Sequence, residues 1–299
     1  MAPNRSALRR LAARPYALIA LMLTALALTL GPLRWAGAGE PRDSCRFGVF
    51  PYMPVLTIDQ IFGPMAASFA QDLGRPVYLK TKSTFEKFAE ELMNQTYDII
   101  LVHPFFYIDV AARAGYRPLA RVDDELTGVA MIKAEQPWKG WRDLEGRVLA
   151  LPPELSAVSE LVKAALSDAG LRPEVDVMLR YYGTKMACLQ AVVTGSADAC
   201  ALPRFVLSQI GSIADLKLKE MVETEPISHL VIAVHSRVPE ADQAKLLADI
   251  LSWPRTARGR EILAAGAWPG FVAARDDDYD EIRRDRARHA RKLSSLSHR

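Results

Sequence analysis

From about position 44, short apolar runs alternate with longer amphipathic stretches. In the stretches 58–73, 85–93 and 158–169 the apolar positions recur every three to four residues, which predicts helices. The short runs predict strands at 46–50, 77–80, 98–102, 129–133, 148–151, 177–181, 197–202 and 229–235. This alternation predicts an α/β fold with mainly parallel sheets.

Two loops, 134–141 and 223–228, interrupt the alternation and mark candidate crossings between two lobes. With both as crossings, residues 45–133 plus 226–275 form one lobe and residues 134–225 form the other. Two lobes joined in this way predict a hinged ligand cleft. The basic C-terminal segment, 276–299, is expected to be a solvated helix followed by a loose tail.

The first 38 residues follow a different pattern. Four arginines precede the 14-residue apolar run 17–30, and the segment closes with Ala36-Gly-Ala38. This order is typical of a secretory signal peptide cleaved after about Ala38, which predicts a periplasmic protein. A membrane span needs about 20 apolar residues, but an uncleaved N-terminal anchor is the alternative.

Composition and charge narrow the class of protein. The chain of 299 residues is 50% hydrophobic and 24% charged, which excludes collagen-like and disordered proteins. Five of the 38 Lys and Arg residues and none of the 35 acidic residues lie in the first 38 positions, so the remainder has a formal net charge of −2. The positive charge therefore belongs to the export signal, and we expect no nucleic-acid binding.

The three cysteines are Cys45, Cys188 and Cys200. Cys188 lies in a helix predicted to begin near Thr184, and Cys200 lies in the strand that follows. A helix packs against its next strand, and an exported protein meets an oxidising compartment, so we expect a Cys188–Cys200 disulfide and a free thiol at Cys45. The alternative is that both residues are small buried hydrophobes.

Motifs for catalysis and for cofactors are absent from the sequence. The histidines lack metal-ligand spacing, and there is no Cys-x-x-Cys, nucleophile elbow, P-loop or dinucleotide glycine motif. We therefore expect no metal, no cofactor and no enzymatic activity.

Polar residues gather where predicted strands run into helices. Ligands of open α/β sheets bind outside the carboxyl ends of the strands, and helix starts attract oxyanions. The candidates in these turns are Ser83, Thr84, His103, Ser156, Thr184 and Lys185, with Lys82 and Arg204 as further sources of positive charge. Each turn also fits ordinary helix capping: Ser83-Thr-Phe-Glu86 reads as a capping box, and His103 fits a satisfied core histidine equally well.

Several segments together resemble the phosphate/phosphite/phosphonate-type substrate-binding proteins of ABC transporters. They are Phe47-Gly-Val-Phe-Pro-Tyr52, 83–92, Thr96-Tyr-Asp-Ile-Ile100, His103-Pro-Phe-Phe-Tyr107, Trp141-Arg-Asp-Leu-Glu-Gly-Arg147, 183–192, Ala197-Asp-Ala199, 258–263, Gly270-Phe271 and Asp278-Tyr279. The resemblance implies the two-lobed type II periplasmic binding fold. It also implies a small anionic ligand and an ABC permease as the membrane partner, and we expect a monomer.

The resemblance further implies which residues line the site. Such proteins use a Ser/Thr pair at one helix start, a Ser-His-like pair at another and a nearby Tyr, and Tyr52, Ser83, His103 and Tyr107 match site-lining positions. Ser156 is followed by Ala157, so one hydroxyl is missing, and Thr184-Lys185 supplies a fixed positive charge. The expected ligand is a small phosphonate-, phosphate- or phosphite-like anion.

Two alternatives to transport stay open at this point. A sensor would pass ligand occupancy to a membrane kinase or redox partner. A lyase on the same fold would use Tyr107, His103 and Glu154 for acid–base catalysis.

Overall fold

The computed structural model describes residues 43–207, 210 and 213–296. The expected signal peptide, its cleavage after Ala38 and the alternative anchor lie outside the described residues. Among the residues described, no helix is both long and apolar enough to cross a bilayer.

The first lobe is built on a six-stranded sheet. Its strands are β1 (Cys45–Val49), β2 (Val77–Lys80), β3 (Ile99–Val102), β4 (Tyr116–Val122), β12 (Val231–His235) and β13 (Phe271–Ala273). They lie in the order β13-β4-β12-β3-β1-β2, and only β1–β2 and β1–β3 are parallel pairs within this sheet.

The second lobe is built on a five-stranded sheet. Its strands are β6 (Gly128–Lys133), β7 (Val148–Leu151), β8 (Met178–Tyr181), β9 (Ala199–Pro203) and β10 (Leu218–Glu223), in the order β10-β6-β9-β7-β8. The two chain connections between the lobes contain β5 (Glu125–Leu126) and β11 (Ile227–Ser228), which pair with each other in antiparallel fashion.

Helices cover both sheets. Those that follow first-lobe strands are α1 (Val55–Leu73), α2 (Phe85–Met93), α3 (Pro104–Phe106, continued by the π-helical turn Tyr107–Ala111), α7 (Glu240–Ser252), α8 (Ala257–Gly266) and α9 (Asp280–Leu296). Those of the second lobe are α4 (Ala157–Asp168), α5 (Lys185–Val193) and α6 (Arg204–Leu207). Short 3₁₀ turns occur at Trp141–Leu144, Ile213–Leu216, Trp253–Arg255 and Asp276–Tyr279.

The structure corrects three sequence expectations. Each predicted strand is present, but the sheets are mixed rather than mainly parallel, because β6 and β12, the first strands of a sheet after each connection, run antiparallel to their neighbours, as β13 does beside β4. Strand β6, expected in the first lobe, pairs with β9 and β10 and so belongs to the second sheet. The first connection therefore runs through 123–127 instead of 134–141.

The central strands of the second sheet, β6, β9 and β7, are buried on both faces, as expected for strands covered by helices on each side. On β7 and β9, alternate residues separate into two clusters: Ala150 and Cys200 pack beneath α5, whereas Leu149, Leu151 and Ala199 pack beneath α4. This alternation follows from the two-residue period of a strand.

The expected disulfide is confirmed. Cys188 on α5 and Cys200 on β9 are bridged, with their Cα atoms 5.7 Å apart. Cys45 is the free cysteine and is 1% exposed, and its burial raises the pKa of the thiol to about 12. It is therefore a poor thiolate nucleophile.

Candidate functional site

Most of the predicted site residues lie in the turns at the carboxyl ends of the parallel strands, along one edge of each sheet. Strands β2, β1 and β3 are parallel neighbours, so the turns that follow them lie along one edge of the first sheet. Strands β8, β7 and β9 are parallel neighbours in the same way in the second sheet. Helices α1 to α6 each begin in one of these turns, so their partly positive N-termini lie at the two edges.

His103 connects the two edges directly. Its Nδ1 accepts a hydrogen bond from the Phe106 backbone N–H (3.2 Å), and its Nε2 lies 2.9 Å from the Leu155 carbonyl oxygen in the turn after β7. An N–H can only donate and a carbonyl can only accept, so the ring is the neutral tautomer with its proton on Nε2. Burial lowers the pKa of His103 to about 4, which is consistent with this neutral form.

Aromatic rings form a wall beside His103. Phe50 stacks on Tyr52 with ring centroids 4.4 Å apart, and its edge contacts with Phe85 and His103 have centroid separations of 5.8 and 5.3 Å. Burial raises the pKa of Tyr52 above its usual range, so its phenol stays protonated. The structure thus places Tyr52, His103 and the start of α2 together.

Hydroxyl groups cap three of the helices at these edges. Thr84 Oγ1 accepts from the Lys87 N–H (3.3 Å), Ser156 Oγ from the Ser159 N–H (3.3 Å), and Thr184 Oγ1 from the Ala187 N–H (3.1 Å). The expected capping box at Ser83 is wrong by one residue, because α2 begins at Phe85 with Thr84 as its N-cap. Ser83 is therefore exposed in the turn instead of capping the helix.

Tyr107 points toward the C-terminal segment. Its hydroxyl donates to Asp276 Oδ1 (2.6 Å), its ring lies 5.0 Å from that of Tyr279, and the residue is 1% exposed. Burial and this hydrogen bond raise the pKa of Tyr107. The contacts of Tyr107 are thus with Asp276 and Tyr279, whereas Tyr52 and His103 share the aromatic wall.

Two of the candidate cations are neutralised by carboxylates. Lys82 pairs with Glu91, and Arg204 pairs with Glu223 and Glu220. Lys185 is the first residue of α5 and is half-buried, beside the Thr184 cap. Arg204 is likewise the first residue of α6, so two of the candidate cations lie at helix starts.

Two parts of this site leave no direct signal in the sequence. One is the Leu155 carbonyl, since a backbone acceptor leaves no mark on residue type. The other is the contribution of Phe50 and Phe85, which read as ordinary core positions. Ser159 lies three residues after the Ser156 cap; it is fully buried and donates to Pro152 and Pro153 carbonyls, which fixes the turn that carries Leu155.

Two surface depressions lie elsewhere. One, of about 410 Å³, is lined by Arg142, Glu145, 169–172 and Asp176, and another, of about 170 Å³, by 43–45, Arg75, Asp98 and 237–239. The helix starts and the cross-lobe contact, which bear on ligand capture, occur at the strand ends, so we place the candidate site there. No group of three or more His, Cys, Asp or Glu within the described residues could hold a metal ion.

Two mixed α/β lobes joined by two connections, with helix starts along the facing strand ends, define the type II periplasmic binding protein fold. Solved structures share it. A binding protein component of an ABC phosphonate transporter from Pseudomonas aeruginosa matches with a TM-score of 0.73 and 14% identity, over 85% of this chain and 88% of that one. PhnD1 from Prochlorococcus marinus, in complex with methylphosphonate, matches with a TM-score of 0.73 and 15% identity, over 83% and 98%. XAC2383 from Xanthomonas citri, bound to chloride ion, matches with a TM-score of 0.68 and 14% identity, over 85% and 98%.

The family model for the periplasmic substrate-binding protein of ABC phosphonate transporters matches residues 47–279. The chain belongs to this family. It is accordingly an extracytoplasmic protein that captures a small solute for a membrane permease, and it is not an enzyme. The comparison with curated protein sequences gave no match.

Proposed function

We propose that the protein binds a small phosphonate, or a similar oxyanion, between the carboxyl ends of β1–β3 and those of β7–β9. The observation that carries this proposal is the contact of His103 with the Leu155 carbonyl, which brings the helix starts of both lobes to one place. Several helix N-termini around one cleft favour an oxyanion, because each presents free backbone N–H groups and a partial positive charge.

Residues that line this space take separate roles in the proposal. The exposed Ser83 hydroxyl, the capping hydroxyls of Thr84 and Thr184, and the phenol of Tyr52 supply hydrogen bonds, since a capping hydroxyl that accepts from the backbone still has its own proton to donate. Ser156 Oγ donates to Ser159 Oγ (3.1 Å) in this structure, so it joins the site when its hydroxyl turns to the ligand. Lys185 supplies positive charge. His103 stays neutral and holds the turn at Leu155, while Tyr107, in the π-helical turn that continues α3, supports the site through its hydrogen bond to Asp276.

Location and partners complete the proposal. The chain is exported by a signal peptide cleaved after about Ala38, works in the periplasm as a monomer, binds no nucleic acid and delivers its ligand to an ABC permease. We favour transport over sensing because family membership supports it.

Calorimetric titration of the purified protein tests the ligand class. The panel is methylphosphonate, phosphate, phosphite, a sulfonate, a small carboxylate and ATP; ATP is included because XAC2383 was also solved bound to it. We expect an oxyanion of phosphorus to bind most tightly. Tightest binding of the carboxylate, or of the sulfonate, would contradict the proposal.

Lys185→Met tests the charge at the site. We expect it to weaken binding of the preferred anion by roughly 1.5–3 kcal/mol, the range for a charge-assisted hydrogen bond. The matched control is Lys219→Met on the exposed edge strand β10, which should bind as the wild type does. An unchanged dissociation constant in Lys185→Met would remove this residue from the site.

Ser83→Ala separates ligand contact from helix capping. Because Ser83 is exposed and does not cap α2, this variant should lose affinity without losing stability. Thr84→Ala, by contrast, should lower the free energy of unfolding by about 1 kcal/mol through loss of the cap. Unchanged affinity in Ser83→Ala would exclude this hydroxyl.

A further inference from the structure

The C-terminal helix α9 is anchored on the first lobe. Ile282 is 6% exposed within the first-lobe core, and Tyr279, just before the helix, is fully buried. The side of α9 that carries these contacts is therefore not a solvated surface, contrary to the sequence expectation for this segment.

One side chain of α9 reaches both lobes. The Arg286 guanidinium lies 2.6 Å from Asp109 Oδ2 on the π-helical turn of the first lobe, and 2.8 Å from Glu160 Oε2 on α4 of the second lobe. It also lies over the Phe105 ring, 5.2 Å from the centroid. A planar guanidinium has several N–H donors and can contact two carboxylates and the face of a ring at once, which a lysine ammonium cannot do as well.

The helix that Arg286 holds belongs to the candidate site. Glu160 lies one helical turn after the Ser156 cap, and the preceding Leu155 carbonyl accepts from His103. Helix α4 packs in two directions: Val158 and Val162 face its own sheet, whereas Ala157 and Leu161 join the core of the first lobe. Arg286 therefore binds α4 where the lobes meet.

We propose that Arg286 is a positioning residue for ligand capture, which ties α4 to the first lobe and favours the arrangement in which the Ser156 turn meets His103. This inference rests on the proposed binding of ligand between the lobes. A ligand that contacts both edges stabilises the same arrangement, so the ion pairs and the ligand act on one equilibrium. Loss of the ion pairs lowers the fraction of protein ready to bind and raises the apparent Kd.

The matched control is Arg283, three residues earlier on the same helix. Its guanidinium contacts Asp276 and Asp280, both within the C-terminal segment, and it bridges no lobes in the described structure. Arg283→Gln therefore removes a comparable pair of ionic contacts without touching the link between the lobes.

Distances between spin labels test the link without any ligand. Labels at Glu90→Cys on α2 and Gln190→Cys on α5 report on the two lobes, since both positions are exposed and Cys45 is buried. Pulsed dipolar spectroscopy should give a longer and broader distance distribution for Arg286→Gln and for Glu160→Gln than for the wild type. Arg283→Gln should match the wild type, and thermal melts confirm that each variant is folded.

Affinity gives the second measurement, with methylphosphonate as the probe. Because the paired side chains are partly exposed, we expect Arg286→Gln to raise Kd only about three- to tenfold. Combining it with Glu160→Gln should add little, since both remove the same link.

A distance distribution unchanged in Arg286→Gln, or changed equally in Arg283→Gln, would overturn the proposal. If the wild type does not bind methylphosphonate, the ligand assignment fails, and the distances without ligand still decide the role of Arg286.

Discussion

His103 shows how one buried side chain links protonation to stability. Burial keeps its folded pKa near 4, while an unfolded histidine titrates near its ordinary value of 6.5. Between these values the unfolded state binds a proton that the folded state does not, so stability falls as the pH drops from about 6.5 to about 4. His229 is also buried, with its pKa lowered to about 4, and therefore makes the unfolding free energy depend on pH in the same direction.

The variant His103→Gln should make the unfolding free energy depend less steeply on pH. The expected change is about one proton in the pH dependence of the unfolding free energy, or about 3 kcal/mol across the whole window. Urea unfolding at a series of pH values from 4 to 7 measures it. A slope identical to that of the wild type would mean that folding does not lower the pKa of His103.

Gly48 shows how a missing side chain makes room for a packed ring. A Cβ at this position would lie 2.7 Å from Cγ of Tyr97, whose ring is 1% exposed and stacks on Phe88 with centroids 5.0 Å apart. A ring held on both sides cannot retreat without disturbing the core.

We therefore expect Gly48→Ala to lower the free energy of unfolding by about 1–3 kcal/mol, the usual cost of overpacking. The control is Gly140→Ala, because a Cβ there has nothing within 4 Å and the backbone is extended. That change should stay within about 0.5 kcal/mol of the wild type. Equal stability of the two variants would contradict the steric argument.

Between elements, a pair of carboxyl groups joins α1 and α7. Asp249 accepts from Ser68 Oγ (2.8 Å) and Trp253 Nε1 (3.0 Å), and it shares a hydrogen bond with Asp72. Burial, that hydrogen bond and the neighbouring charge raise the pKa of Asp72 to about 7. The shared proton stabilises the contact between the helices, and this stabilisation is lost as the pH rises from about 4 to about 7.

Asp72→Asn should remove that loss, since an amide keeps a donor at every pH. Above pH 7 the variant should be more stable than the wild type, with the difference disappearing toward pH 4. Chemical unfolding at pH 4, 6 and 8 checks the sign, which is opposite to that of His103. Greater stability of the wild type at pH 8 would exclude a shared proton.

The elements differ in how readily the sequence reveals them. The ends of strands with an uninterrupted apolar run were predicted to within about two residues. A strand buried on both faces is apolar at every position, so the run begins and ends close to the strand itself. Strand β4 was missed because it contains Pro118; a register shift where β4 pairs with β12 accommodates this residue. The edge strand β10 was missed because its exposed Lys219 and Glu220 read as loop.

The candidate site also has parts that could be predicted from the sequence and a part that could not. Turns at strand ends could be predicted, because capping residues and ligand contacts occupy the same positions. The link through Arg286 could not, since it joins residues more than a hundred positions apart and depends on how α4 and α9 pack.

At the scale of the whole molecule, ligand binding should change the shape. Two connections paired through β5 and β11 permit the lobes to rotate, and a ligand bound by both edges favours the closed arrangement. Small-angle scattering should show a smaller radius of gyration with the preferred oxyanion than without it. Identical profiles at saturation would indicate a rigid cleft.

The position of β12 in the first sheet has a consequence for folding. Strand β12 lies between β3 and β4, and β4 otherwise pairs only with β13 within the described residues. Both partners of β4 come after the second lobe, whereas the second sheet is complete within residues 128–223. As the chain emerges during synthesis or export, the second sheet can therefore assemble while the edge of β3 is still open. Closing the first sheet requires contacts across more than a hundred residues, which makes it the slow step and the stage most exposed to aggregation.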